Sequence, residues 1–419
     1  MTKGFYVLLA AQFLSALADN ALLFAAIALL QDMQSPNWHK PLLLQFFVIS
    51  YIVLAPFVGS FADALPKGRV MFISNGIKFF GSLAMLFGMP PLYAYGIVGI
   101  GAAAYSPAKY GILTELLPPS KLVSANGWME GSTVIAIILG AIFGGHLASI
   151  NTQMAIVVIT SLYLVAAAFN TFIPKMPIEH EIKNKNPICM MIDFYKSFFT
   201  LWRDPQGQVS LAVTTLFWGA GATLQFIVIK WAQVALHMNL SQGAILQAIS
   251  AVGVAGGAVW AASRIPLRNS LNVLPYGVVM GLVVCLLAIY NSDMLPNITI
   301  LTVGKFELSL NLLPAYFLLI LVGWLAGYFV VPMNALLQHR GHVLMSAGHS
   351  IAVQNFNENI SVLTMLLVYS MLIWLDVPIQ FVIIGFGVAV SAIMWLVIKR
   401  HARNQAEYDS MHLIGEHKH

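Results

Sequence analysis

Phe13-Leu14-Ser15-Ala16-Leu17-Ala18-Asp19-Asn20-Ala21-Leu22-Leu23-Phe24 decides how the rest of this chain is read. It is the centre of an apolar run from Phe5 to Gln31. As a helix, that run is long enough to cross a hydrocarbon core of about 30 Å. Asp19 is its only charge and lies at the middle. A carboxylate at that depth costs about 3 kcal/mol or more, so it should face a polar cavity or a partner. Two roles are open to it: a group that meets substrate, or a protonated, hydrogen-bonded group that ties helices together.

The composition extends this reading to the whole chain. Of 419 residues, 59% are hydrophobic and only 9% are charged, against about 25% charged in a soluble domain. The chain is therefore expected to be an all-α, polytopic membrane protein. Its formal net charge of +5 comes from lysines and arginines at segment ends, where membrane topology wants them, so nucleic acid is not an expected partner. Cys189 and Cys285 have neither metal nor redox spacing, and no metal site, cofactor or disulfide framework is expected. The first apolar run is too long for a cleavable signal peptide and has no cleavage site.

Apolar length and polar breaks predict twelve spans: 5–31, 42–64, 70–89, 92–117, 123–149, 153–174, 209–236, 242–263, 271–290, 312–337, 350–374 and 377–398. With the N-terminus in the cytoplasm, sixteen of the twenty-one Lys and Arg fall in cytoplasmic segments, which places both termini inside. The longest charged interruption runs from Lys175 to Gln208. It divides the chain into a bundle at 1–175, a cytoplasmic linker at 176–208, a second bundle at 209–398 and a cytoplasmic tail at 399–419. Within the linker, Met190 to Trp202 mixes apolar and polar residues as an interfacial helix would; a plain linker is the other reading.

The halves echo one another. Ser106-Pro107-Ala108-Lys109 resembles Val331-Pro332-Met333-Asn334, and Leu122-Val123-Ser124-Ala125 resembles Leu344-Met345-Ser346-Ala347. Two six-span halves repeated in the same order are a transporter pattern. Between spans two and three stands Gly59-Ser60-Phe61-Ala62-Asp63-Ala64-Leu65-Pro66-Lys67-Gly68-Arg69, which resembles the cytoplasmic-loop motif of the major facilitator superfamily. Gly59 permits close helix contact, and Asp63 can meet helix N-terminal amides or a base when that side is shut. Gly59, Asp63, Lys67 and Arg69 are the expected gate. The spacing from Asp63 to Gly68 is two residues longer than the usual pattern, and the second-half counterpart, Gly257 to Arg268, has no Asp. In span five, Gly140 and Gly144 provide a small-residue face for packing.

Asp19, Lys78, Lys109, Glu130, Lys230 and Glu358 all lie within spans, where a charge seeks a cavity or a partner. Lys78 and Glu130 are expected either to pair with each other or a neighbour, or to meet substrate. Lys230 is read as reaching for the outer interface more than for substrate. Asn355, Asn357 and Glu358 form a polar cluster early in span eleven. A cavity of this kind is amphipathic, with separated acids and bases and apolar walls.

Several stretches together resemble the lysophospholipid transporter family of the major facilitator superfamily. They are Ala11–Ala16 through Asp19–Phe24, Ala102–Leu113, Ser120–Val123 with Ala125–Gly127, Leu216–Gly221, Val331–Pro332 with Asn334–Gln338, and Ile351–Asn355 with Glu358–Asn359. The chain departs from the family at Gln225, where an arginine is usual; Lys230 is a turn and a half further on, on another face. The resemblance implies a twelve-helix fold and movement of lysophospholipid, chiefly lysophosphatidylethanolamine, from the outer to the inner leaflet of the bacterial inner membrane. An acyltransferase/acyl-carrier-protein synthetase would then restore the second chain. Substrate contacts are expected from Asp19, Asn20, Lys109, Tyr110, Gln225, Lys230, Asn355 and Glu358, in a monomer surrounded by membrane lipids. An exporter of drugs or small amphipathic solutes is the alternative. A membrane-bound acyltransferase or hydrolase would need a nucleophile or a His–acid pair, and no H-x4-D or G-x-S-x-G string is present.

Overall fold

The computed structural model describes residues 3–35, 39–174, 186–238, 240–303, 306–410, 412 and 414. They form thirteen α-helices. The first six are α1 (Lys3–Asp32), α2 (His39–Ala64), α3 (Lys67–Leu86), α4 (Pro91–Leu116), α5 (Leu122–Ile150) and α6 (Thr152–Asn170). A shorter α7 (Pro187–Arg203) follows. The last six are α8 (Gly207–Ala235), α9 (Leu240–Arg264), α10 (Leu274–Ile289), α11 (Leu313–Leu344), α12 (Ala347–Trp374) and α13 (Ile379–Glu407).

Each of the twelve expected spans coincides with one helix; most ends differ by a few residues, but α11 runs on to Leu344 and α13 to Glu407, past the expected 337 and 398. Ten of the helices are long and apolar enough to cross a membrane unaided. The two that are not are α3 and α4. Lys67, Arg69 and Lys78 interrupt α3, while α4 carries Lys109 and many small residues. Both are packed between neighbours, and Lys67 and Lys78 meet protein carboxylates.

The first six helices pack on one another, α1 against α5 and α6, and α3 against α4 and α6; in the last six, α9 packs on α11, α10 on α13 and α8 on α12. The two sets meet where α2 crosses α12 and α5 crosses α9, with α11 lying against α5. At Gly140 an added Cβ would come within 2.8 Å of Leu17 O and Asn20 Cβ. The small face of α5 is therefore what lets it lie against α1, as a GxxxG-type face does. Pro107 and Pro332 both sit inside their helices, α4 and α11.

Helix α7 begins on an Asn186 cap with Pro187 at its first position, the arrangement expected where the first amides have no helical partner. Phe194 and Leu201 are its buried residues. Phe198 and Trp202 lie beside them, packed with Phe356 of α12, and Trp202 donates from Nε1 to Asn357 at 3.3 Å. Ile188, Met191 and Tyr195 stay exposed. The predicted amphipathic segment is thus a helix held against the bundle by one face; residues 175–185 of the linker lie outside the described residues. Between α10 and α11 the chain also makes an antiparallel pair of strands, β1 (Thr299–Val303) and β2 (Phe306–Ser309), which the reading by spans did not contain.

Candidate substrate cavity and gate

Three polar clusters organise the interior. The first lies within the first six helices. Asp19 of α1 accepts from Lys78 Nζ of α3 at 2.7 Å and from the Tyr163 hydroxyl of α6 at 2.8 Å. Lys78 also donates to Ser15 at 3.0 Å, and Ser15 donates to Asn75 at 2.8 Å. The Lys78 side chain is 2% exposed and that of Asp19 18%. The ammonium stands 4.8 Å from the Tyr105 ring centroid. This pair is satisfied inside one bundle. Lys78 and Glu130, read as a possible pair, are not brought together: α3 packs on α4 and α6, whereas Glu130 stands on α5, across α1.

The second cluster lies between the two sets of helices, in a polar chamber of about 210 Å³. Lys109, Tyr110, Asn355 and Glu358 line it, with Tyr51, Asn334 and Gln354. Glu130 accepts from the Tyr110 hydroxyl at 3.1 Å and from the Asn334 amide at 3.4 Å. Asn334 in turn accepts from Gln354 at 3.0 Å, and the same Gln354 amide donates to Glu358 at 2.7 Å. Across the chamber, the Asn355 amide donates to Ser106 at 2.9 Å. Lys109 rests over the Tyr110 ring at 4.2 Å. Among the described residues no carboxylate lies within ion-pair distance of it, although Glu130, Glu358 and Asp19 are its acidic neighbours. A half-buried ammonium that rests on a ring and lines a cavity is placed to meet an anion.

The remaining expected contacts stand elsewhere. Asn20 donates to Ala16 O of its own helix at 2.8 Å. Gln225 lines a second, apolar chamber. Lys230 is exposed on α8, consistent with a side chain reaching outward rather than into the chamber.

The third cluster closes one end of the molecule. Asp63, 8% exposed, accepts from Lys67 at 2.7 Å, from the Gly348 amide at 3.0 Å and from the Ser346 hydroxyl. His349 Nδ1 lies 3.0 Å from it. Lys67 also pairs with Glu115 at 3.3 Å. Ser346 is the cap of α12, so Asp63 of α2 sits on the α12 N-terminus, where the helix dipole favours a negative charge. Gly59 makes this approach possible: a Cβ there would lie 2.9 Å from His349 Cα. Arg69, the fourth expected gate residue, is exposed and joins none of these contacts.

Two further ties at this end were not singled out from sequence. Asn126 of α5 and Gln338 of α11 exchange amide hydrogen bonds, each 2.8 Å. Arg340 of α11 grips Asp204 through Nε at 3.2 Å and a terminal nitrogen at 2.7 Å, while Asp204 also accepts from the first amides of α8. Asn334, which the repeat aligns with Lys109, also went unmarked as a site residue and lies in the same polar chamber.

Residues 8–347 match the Major Facilitator Superfamily. The chain is 43% identical over 405 residues to the lysophospholipid transporter LplT of Escherichia coli O1:K1, covering 96% of this chain and 97% of that protein. It is 44% identical over 380 residues to LplT of Yersinia enterocolitica, covering 90% and 89%. Among solved structures, a bacterial homologue of the iron transporter ferroportin in an outward-facing state superposes with a TM-score of 0.71 at 16% identity, covering 97% of this chain and all of that one. The E. coli fucose:proton symporter does so with a TM-score of 0.71 at 14% identity, covering 94% and 98%. These two share the fold alone. By the length and level of the match, the chain belongs to the major facilitator superfamily and, within it, to the lysophospholipid transporter family.

Proposed function

We propose that this protein moves lysophospholipids, chiefly lysophosphatidylethanolamine, from the outer to the inner leaflet of the bacterial inner membrane by alternating access, without chemistry on the lipid. The observation that carries the reading is Lys109: a cation in the polar chamber between the two bundles, with Glu130 and Glu358 nearby. A lysolipid phosphate would meet Lys109, and its ammonium would meet Glu358, each as a charge-assisted hydrogen bond. Asn355, Tyr51 and Tyr110 supply further polar contacts. Asp19 supports this site from behind, through the helices that it and Lys78 join.

In this reading residues 1–175 and 209–398 are the two bundles that rock against each other, and both termini are cytoplasmic. The Asp63 end is then the cytoplasmic gate, closed in this conformation. The protein acts as a monomer, and its product feeds an acyltransferase/acyl-carrier-protein synthetase. Leaflet-resolved uptake of labelled lysophosphatidylethanolamine into proteoliposomes, with and without ion gradients, tests the activity. Label that becomes protected from extraction at the outer face is the expected result; label that stays extractable at the rate of empty liposomes contradicts it. A cysteine at position 190 should react only from the cytoplasmic side, which tests the orientation.

A further inference from the structure

Beside the polar chamber lies a second cavity of about 270 Å³. Trp218 and Val362 belong to the walls of both. Its lining comes mostly from the last six helices, with Val134 and Ile137 of α5 closing one side. It contains no charged residue, and its Gln247 is already committed to Gln225 O at 2.6 Å. We propose that this chamber receives the acyl chain of the transported lipid, and that its small residues set the chain length accepted. The inference rests on the polar chamber being the head-group site.

Small side chains hold the chamber open: Gly221 and Ala222 on α8, Ala251 on α9, and Ala326 on α11. Gly221 is the most telling of them. An added Cβ there would meet no atom within 4 Å, so helix packing does not require a glycine, although glycine is unfavourable in a helix interior. Gly323 on the same wall differs, because Ser250 O of α9 lies against it. The occupant follows from adjacency. An amphiphile whose head lies between Lys109 and Glu358 has apolar space beside it, across the shared walls Trp218 and Val362. A small polar solute would leave that space unfilled. A chain arriving from the bilayer leaves surroundings as apolar as the chamber, so burial alone gives little discrimination. Selection then comes from fit, and overfilling a packed apolar site is costly.

The test compares uptake of lysophosphatidylethanolamine with ten-carbon and eighteen-carbon chains by wild type, Gly221→Leu and Ala251→Leu in proteoliposomes. Each substitution should raise the ratio of ten-carbon to eighteen-carbon uptake at least about tenfold, the scale of an overpacked site. Ala251→Leu, on the opposite wall, carries the test if Gly221→Leu does not give folded protein. An unchanged ratio in both variants overturns the inference and leaves the function standing; that is the result if a resident bilayer lipid, rather than substrate, fills the chamber. A wild type that carries neither chain length overturns the function as well.

Discussion

Asp19–Lys78 and Lys109 with Glu130 and Glu358 are both sets of charges deep in the membrane, yet the protein treats them in opposite ways. The Lys78 ammonium has a carboxylate at 2.7 Å, a hydroxyl at 3.0 Å and an aromatic ring beside it. All of these belong to the first six helices. The Lys109 ammonium has the Tyr110 ring and a chamber, with acids near but not bonded to it. The two acids are instead joined to one another through Asn334 and Gln354, on helices of the other bundle. Charges completed within a bundle hold that bundle together. Charges left with open coordination between bundles are available to a ligand and to the change of state that follows it.

Breaking the closed pair should have the largest effect, and on stability. Lys78→Met leaves Asp19 buried without its cation and should cost about 3–5 kcal/mol. Thermal unfolding in detergent reads this as a marked loss of Tm and of folded yield. Adding Asp19→Leu should recover much of the loss, since an apolar pair of similar volume replaces a buried ion pair well. A Lys78→Met protein with wild-type Tm would remove the distinction between the clusters.

Lys109→Gln should act in the opposite way. It should leave Tm within the range of surface variants and lower lysolipid uptake about 10- to 100-fold, as expected for loss of a hydrogen bond to a charged group. An uptake loss that tracks a Tm loss would make Lys109 a structural residue like Lys78.

The Asp63 cluster sharpens the comparison further, because in the proposed reading its contacts form only when that end is shut. Asp63→Asn keeps the shape and weakens the contacts with Lys67, His349 and the α12 N-terminus. Transport should slow about 5- to 30-fold while lysolipid affinity moves less, since a gate alters state populations rather than contacts. Equal losses in rate and affinity would place Asp63 with the ligand site.

The smallest effect is expected at the neutral tie between α5 and α11. Asn126→Ala should destabilise the closed state by about 1 kcal/mol. A double-mutant cycle with Gln338→Ala should show coupling of similar size; additive losses would mean that the two amides do not act as a unit.

Much of this was legible in the sequence. Apolar length located every span, because backbone hydrogen bonding in lipid leaves a helix few alternatives. The Asp63 motif singled out Gly59, Asp63 and Lys67, which the structure brings together against the α12 N-terminus, and the matched Pro107 and Pro332 strings pointed to the repeat of two halves. What was not legible is azimuth. A helix that is apolar all round, as α1 and α5 nearly are, gives no moment from which to read the side on which Asp19 or Glu130 points. The sequence therefore left Asp19 open as a head-group contact or a helix tie, and Lys78 as a partner of Glu130, of another neighbour or of substrate; α1 turns Asp19 toward α3, where it meets Lys78. Asp204–Arg340 was missed because it joins residues far apart in sequence and leaves no local pattern; the β1–β2 pair does leave one, two β-forming runs either side of Gly304-Lys305, which a reading by spans passed over.

The central claim is that Lys109 holds the phosphate of the lipid. Equilibrium binding to wild type and Lys109→Gln, using lysophosphatidylethanolamine and a monoacylglycerol with the same chain, isolates that contact. Lys109→Gln should weaken the lysophospholipid about 10- to 100-fold and leave the monoacylglycerol, which has no phosphate, within about twofold. Equal weakening of both ligands, or none of either, would contradict the assignment.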